Sequence, residues 1–182
     1  MEPPLVAATK LPPTKGTTTM AAPEISASTT VNAPASKVWQ RVTDLSAMGK
    51  RSPQCKKMIL LPRRKSSAAD AAPAPGTVTI NFNRQGILWW PTWAVVTEVE
   101  PEKVFEFKIP LNGTRWRFEI SPTADGAQTV LTEKRLAPGG KTSLVSRVLV
   151  AAVLGGEEKF EASLQEGIQQ TIRALAREAE NF

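Results

Sequence analysis

The chain has 182 residues, of which 41% are hydrophobic and 22% charged, the balance of one folded domain rather than of a disordered or fibrous chain. It contains no His, no Tyr and a single Cys, Cys55, which excludes a Ser-His-Asp or Cys-His nucleophilic site, a His-ligated or Cys-rich metal site and an intrachain disulfide. The net charge of +6 is local: Lys50, Arg51, Lys56, Lys57, Arg63, Arg64 and Lys65 cluster where no acid intervenes, so the remainder carries 6 − 7 = −1.

Residues 1–23 are rich in Pro, Thr and Ala, hold no apolar run of signal-peptide or membrane-spanning length, and read as a disordered leader. With a lone Cys, this points to a cytoplasmic protein. Ile25 to Val31 is strand-like, and Asn32-Ala33-Pro34 ends it. Pro34 suits the start of a helix, and Val38, Val42 and Leu45 follow at helical spacing. Asp44 to Arg51 reads as a second short helix capped by Asp44, with Ser52-Pro53 as its stop.

Lys56 to Leu61 reads as a strand, and residues 62–76 as a flexible loop rich in Pro, Ala and Ser. Thr77 to Arg84 alternates, with Val78, Ile80 and Phe82 on one face and Thr79, Asn81 and Asn83 on the other. Leu88 to Val99 returns as a long strand in which Pro91 predicts an edge or a bulge. Val104 to Leu111 aligns Phe105, Phe107, Ile109 and Leu111, and Asn112-Gly113 signals a two-residue hairpin. Thr114 to Ile120 aligns Trp116, Phe118 and Ile120 opposite Arg115 and Arg117, and Gln128 to Arg135 follows the Asp125-Gly126 turn. After Pro138-Gly139-Gly140, Leu144 to Leu154 is too short to span a bilayer and fits a core or surface-docking helix. Phe160, Leu164, Ile168, Ile172 and Leu175 then mark one face of a long final helix, with Gly167 beside the stripe.

The V-x-A-P-x-x-V-W-x-x-x-x-D-L pattern within Val31–Pro53 (VNAPASKVWQRVTDLSAMGKRSP), the segment Trp90–Phe107 (WPTWAVVTEVEPEKVFEF) and the helix Phe160–Glu180 (FEASLQEGIQQTIRALAREAE) resemble the START-like (SRPBCC) superfamily. Within it the chain is most similar to actinobacterial-type proteins described as polyketide cyclase/dehydratase or lipid-transport-like. The resemblance implies an α+β helix-grip fold over residues 24–182: a curved antiparallel sheet wrapped around a long C-terminal helix, with two short helices after the first strand. It also implies an apolar cavity between sheet and helix. On that reading Trp39, Phe82, Trp93, Phe105, Phe107, Trp116, Phe118, Leu164 and Ile168 line a site for a small hydrophobic, lipid- or polyketide-like molecule, with no cofactor and no metal.

Many relatives have Trp-Ser-Pro where this chain has Arg51-Ser52-Pro53. The cation either admits an acidic head group or belongs to the basic surface patch, and the patch is the preferred reading. Two alternatives stand beside binding or transport. One is a cyclase- or dehydratase-like enzyme using a buried carboxylate, for which Glu98 is the first residue to inspect, although pairing with an Arg is the simpler expectation for it. The other is a noncatalytic module in which the basic patch, Lys50 to Lys65, makes peripheral contact with an anionic surface, without specific nucleic-acid recognition.

Overall fold

The structure, a computed structural model, describes residues 22–62, 72–137 and 157–182, with the backbone alone at 157–161. Residues 1–21 of the expected leader, most of the expected loop at 62–76 including Arg63, Arg64 and Lys65, and the Leu144–Leu154 segment lie outside the described residues.

Seven strands form one antiparallel sheet: β1 (Glu24–Val31), β2 (Cys55–Leu60), β3 (Val78–Gln85), β4 (Leu88–Glu100), β5 (Val104–Ile109), β6 (Thr114–Pro122) and β7 (Thr129–Leu136). Their order is β1-β7-β6-β5-β4-β3-β2, a meander closed by the first strand pairing with the last. Between β1 and β2 run helix α1 (Ala35–Thr43), a 3-10 turn (Leu45–Ala47) and helix α2 (Met48–Arg51); the final helix is α3 (Glu157–Glu180). This is the expected helix-grip arrangement.

Alternation decides which side chains enter the core. Phe105, Phe107 and Ile109 of β5, Phe118 and Ile120 of β6, and Leu131 of β7 are buried, and they share one cluster with Val38 and Val42 of α1 and Ile172, Leu175, Ala176 and Ala179 of α3. Each large side chain so buried contributes about 1.5–3 kcal/mol. The C-terminal half of α3 is therefore clamped between sheet and α1. Ile168 and Leu164, one and two turns nearer its start than Ile172, pack instead with Ile25 of the edge strand β1.

Asp44 caps the 3-10 turn, its carboxylate accepting from the Ala47 amide at 3.3 Å. The expected second helix is thereby divided into that turn and the single turn of α2. Asn112-Gly113 closes not a two-residue hairpin but a four-residue loop after Ile109. There Gly113 takes φ 72° and donates to Ile109 O at 2.9 Å, while Asn112 Oδ1 accepts from the Thr114 amide. Pro91 keeps the β3–β4 register, opposite Phe82. It is tolerated because β4 outruns β5: pairing with β5 begins only at Val95, so β4 is locally an edge at Pro91. The register shift falls instead between Val96 and Glu98.

Candidate functional site

A cavity of about 150 Å³ lies beneath the first half of α3, where the helix has parted from the α1 clamp. Its apolar wall is made by Phe107 and Ile109 of β5, Trp116 and Phe118 of β6, Leu164 and Ile168 of α3, and the methionines Met48 and Met58. Gly167 sits in the roof. A Cβ built there would meet Pro53 Cγ at 3.5 Å, an ordinary contact, so glycine is not needed for close packing; it leaves space.

Polar groups flank these side chains on the same face of the sheet. Asn81 and Asn83 of β3, Thr92 of β4, Asn112, Thr114, Glu133 and Arg135 all reach the cavity. Part of this polar set is internally satisfied. Thr79 donates to Asn81 Oδ1 at 2.7 Å, and Asn83 Nδ2 donates to Thr92 Oγ1 at 3.0 Å and to the Trp90 carbonyl. Such pairing is what permits amides to stand where the sequence reading placed rings.

Glu133 is the exception. It sits on β7 directly opposite Phe118 of β6 and Ala27 of β1, is 3% exposed, and its Oε2 has no hydrogen-bond partner among the described residues. Burial pushes its carboxyl well above the usual carboxylate range. Arg135, two residues on along the same face, reaches the cavity and donates to the Ala22 carbonyl at 3.3 Å. The cavity thus combines an apolar slot, amide and hydroxyl groups, one desolvated carboxyl and one guanidinium.

Of the residues expected to line the site, Phe107, Trp116, Phe118, Leu164 and Ile168 do so. Trp39 and Phe105 are displaced into the core, where the two rings meet edge to face at 6.2 Å and fill rather than line. Phe82 and Trp93 are on the other side of the sheet altogether, 40% and 43% exposed. The inward face of β3 is Thr79, Asn81 and Asn83, so the apolar face of the expected strand is the outer one. The pairing leaves no freedom: Met58, Asn81 and Thr92 share one row, and Ile59, Ile80 and Trp93 the next, on opposite faces.

Arg51 is not part of a basic surface. It is 4% exposed and donates to Glu178 of α3 at 2.6 and 2.9 Å and to the carbonyls of Arg41 and Asp44, tying α2 to α3. Four of the five N–H donors of the guanidinium are satisfied from within the fold, and the Asp44 carboxylate stands 3.6 Å from it. Lys50, Lys56 and Lys57 are exposed as expected. Glu98 pairs with Arg117 on the outer face, where Glu106, Glu119, Arg115 and Lys134 complete an ion-pair network, and takes no part in the cavity. Cys55 borders the cavity, but burial pushes its thiol up to about 11, the setting of an inert thiol.

The polar part of the lining was missed because Asn and Thr on an alternating strand look like its solvated face. Glu133 carried a signal: the β6–β7 hairpin pairs Ile120 with Leu131 and Phe118 with Glu133, so once Phe118 is inward Glu133 is too. No group of three or more His, Cys, Asp or Glu side chains is placed to hold a metal among the described residues, and none of their helices is long and apolar enough to cross a membrane.

The family described as polyketide cyclase / dehydrase and lipid transport matches residues 22–180. Curated proteins yield no match. Among solved structures, an aromatase/cyclase from Streptomyces sp. R1128 superposes with a TM-score of 0.62 at 19% identity, over 87% of this chain and 93% of that one. A polyketide-cyclase-like protein from Corynebacterium glutamicum gives 0.54 at 24% identity, over 85% and 89%. A di-domain ARO/CYC protein of the steffimycin pathway gives 0.65 at 13% identity, over 87% of this chain and 51% of that one, so the chain spans about half of that relative. At these identities the likeness is one of fold.

Proposed function

The chain belongs to the polyketide cyclase / dehydrase and lipid transport family, and on that premise we propose that it binds a small, largely apolar molecule carrying carbonyl or hydroxyl oxygens. The observation that carries the reading is the mixed lining of the cavity: the aromatic and aliphatic side chains of β5, β6 and the last helix, flanked in the same sheet by Glu133 and Arg135 on one side and by Asn81, Asn83 and Thr92 on the other. A purely hydrocarbon ligand would leave Glu133 Oε2 without a partner, which is costly in a dry site. A strongly charged or sugar-like ligand would lose the contacts of Phe107, Trp116 and Phe118. A flat, oxygenated aromatic or a short oxygen-bearing acyl chain matches both the apolar and the polar part of this lining.

Native mass spectrometry of freshly purified protein, followed by organic extraction, tests this. A stoichiometric passenger containing a ring or acyl chain with oxygen functions is expected. A passenger that is an unfunctionalised hydrocarbon, or a cavity that takes up no oxygenated aromatic from a panel, would overturn the reading.

Glu133 favours a second reading, in which the bound molecule is also transformed. Held neutral, the carboxyl can give its proton to a departing hydroxyl, which leaves as water. The carboxylate so formed then takes a proton from the neighbouring carbon as the double bond closes. Arg135 is placed to hold an oxygen of the same molecule. On this reading Glu133→Gln abolishes turnover of a β-hydroxy carbonyl substrate while its binding persists; retained turnover would eliminate the carboxyl as the acid.

A further inference from the structure

The outer face of the β2–β3–β4 end of the sheet is as apolar as the cavity wall, and nothing in the cavity uses it. In register across the three strands lie Ile59, Ile80 and Trp93, flanked on one side by the row Lys57, Phe82 and Pro91 and on the other by Val78 and Val95 with Lys108 of β5. Phe82, Trp93, Ile59 and Leu61 are each between 38% and 43% exposed, Trp89 is 54% exposed, and Ile87 at the tip of the β3–β4 hairpin is 97% exposed. Contiguous apolar surface of this kind marks an interaction site.

We propose that this face docks on an anionic lipid bilayer, with Ile87 and Trp89 entering the interface and the neighbouring cations meeting lipid head groups. Three observations choose a bilayer. The first is charge: Lys57, Arg84 and Lys108 lie in or beside the apolar rows, while Glu98 and Glu106, the carboxylates next to them on β4 and β5, are held in ion pairs with Arg115 and Arg117. The second is shape: the most exposed apolar side chain stands on a turn at the end of a hairpin, where it can enter lipid without any strand moving. The third is residue type. Trp with Ile and Leu suits the head-group boundary, whereas single-stranded nucleic acid would use open ring faces, and the Arg84 guanidinium already stands 5.2 Å over the Trp89 ring.

The same hairpin also lines, through Arg84, Gln85 and Gly86, a groove that shares Gln54 and Gly167 with the cavity. A docked molecule therefore holds that groove beside the bilayer. The proposal goes beyond the ligand reading and does not depend on it, because docking is measured on the empty protein.

The test is co-sedimentation of the full chain with vesicles of phosphatidylcholine alone and of phosphatidylcholine with one third phosphatidylglycerol. Binding is expected only to the anionic vesicles and should weaken with salt. Ile87→Asp combined with Trp89→Ser should reduce binding at least about tenfold, and Lys57→Ala with Lys108→Ala about fivefold for each cation removed. All four positions are on the outer face or the hairpin tip, and unchanged circular dichroism and melting confirm an intact fold. The proposal fails if the wild type ignores anionic vesicles at low salt, or if both double variants bind as it does. It fails equally if sedimentation velocity shows the face buried between two copies, or if a single-stranded oligonucleotide competes with the vesicles for it.

Discussion

Replacing Glu133 by Gln removes the one carboxyl that, among the described residues, is buried with an oxygen, Oε2, lacking a hydrogen-bond partner. In the unfolded chain its carboxyl titrates near 4.5; in the native protein burial raises it well above that. Between the two values the native state keeps a proton that the unfolded chain has released, so the unfolded state binds fewer protons and stability falls as pH rises. The fall is at most about 1.4 kcal/mol per pH unit, begins near the unfolded value and levels off above the native one. Asp44 and Glu119, whose carboxyls the fold lowers, act in the opposite sense and below that window: the stability they contribute is lost as pH falls through their native values. Urea melts followed by the fluorescence of the Trp residues, run at intervals from about pH 5 to about pH 8, therefore separate the two effects. Wild type should lose stability across this range, and Glu133→Gln should lose measurably less, whatever its absolute stability. Parallel profiles for the two proteins would refute the reasoning, because they would mean that Glu133 is already ionised and solvated.

Phe118→Ala should cost about 3 kcal/mol, the low end for such a deletion, because the ring is 1% exposed yet already borders empty space; a loss beyond about 5 kcal/mol in urea would mean a filled core instead of a cavity. Gly167→Ala should stabilise α3 by up to about 1 kcal/mol in thermal melts, since its Cβ meets only Pro53 Cγ at 3.5 Å. Gly49→Ala should do the reverse, losing about 1–3 kcal/mol, because its Cβ would lie 2.2 Å from the Lys56 carbonyl oxygen where α2 crosses β2; an unchanged melting temperature would refute that contact. Arg51→Met should lose about 2–3 kcal/mol by cutting the charged hydrogen bonds to Glu178 and the Arg41 and Asp44 carbonyls, and neutral behaviour in urea would return Arg51 to the surface.

Most of the elements, and most of the aromatic lining of the cavity, are legible in the order of residues. Alternation placed Phe105, Phe107 and Ile109 on one side of β5, and Trp116, Phe118 and Ile120 on one side of β6. The spacing from Leu164 to Leu175 set the buried face of the last helix. These patterns are local, fixed by the strand and helix periods. What they leave open is which face of a strand looks inward when both carry plausible residues. On β3 that was settled by pairing: β4 and β2 put Ile80 in line with Trp93 and Ile59, and sent Asn81 and Asn83 toward the cavity.

Tertiary structure alone likewise placed Arg51 against Glu178, a residue 127 positions away, and so converted an expected surface cation into an internal tie. Glu133 became a desolvated carboxyl through the strands on either side of it. Charge run and strand alternation are properties of neighbours in the chain, whereas burial and pKa belong to neighbours in space. Most of those neighbours are brought together only when the meander closes on β1 and α3 is laid across it.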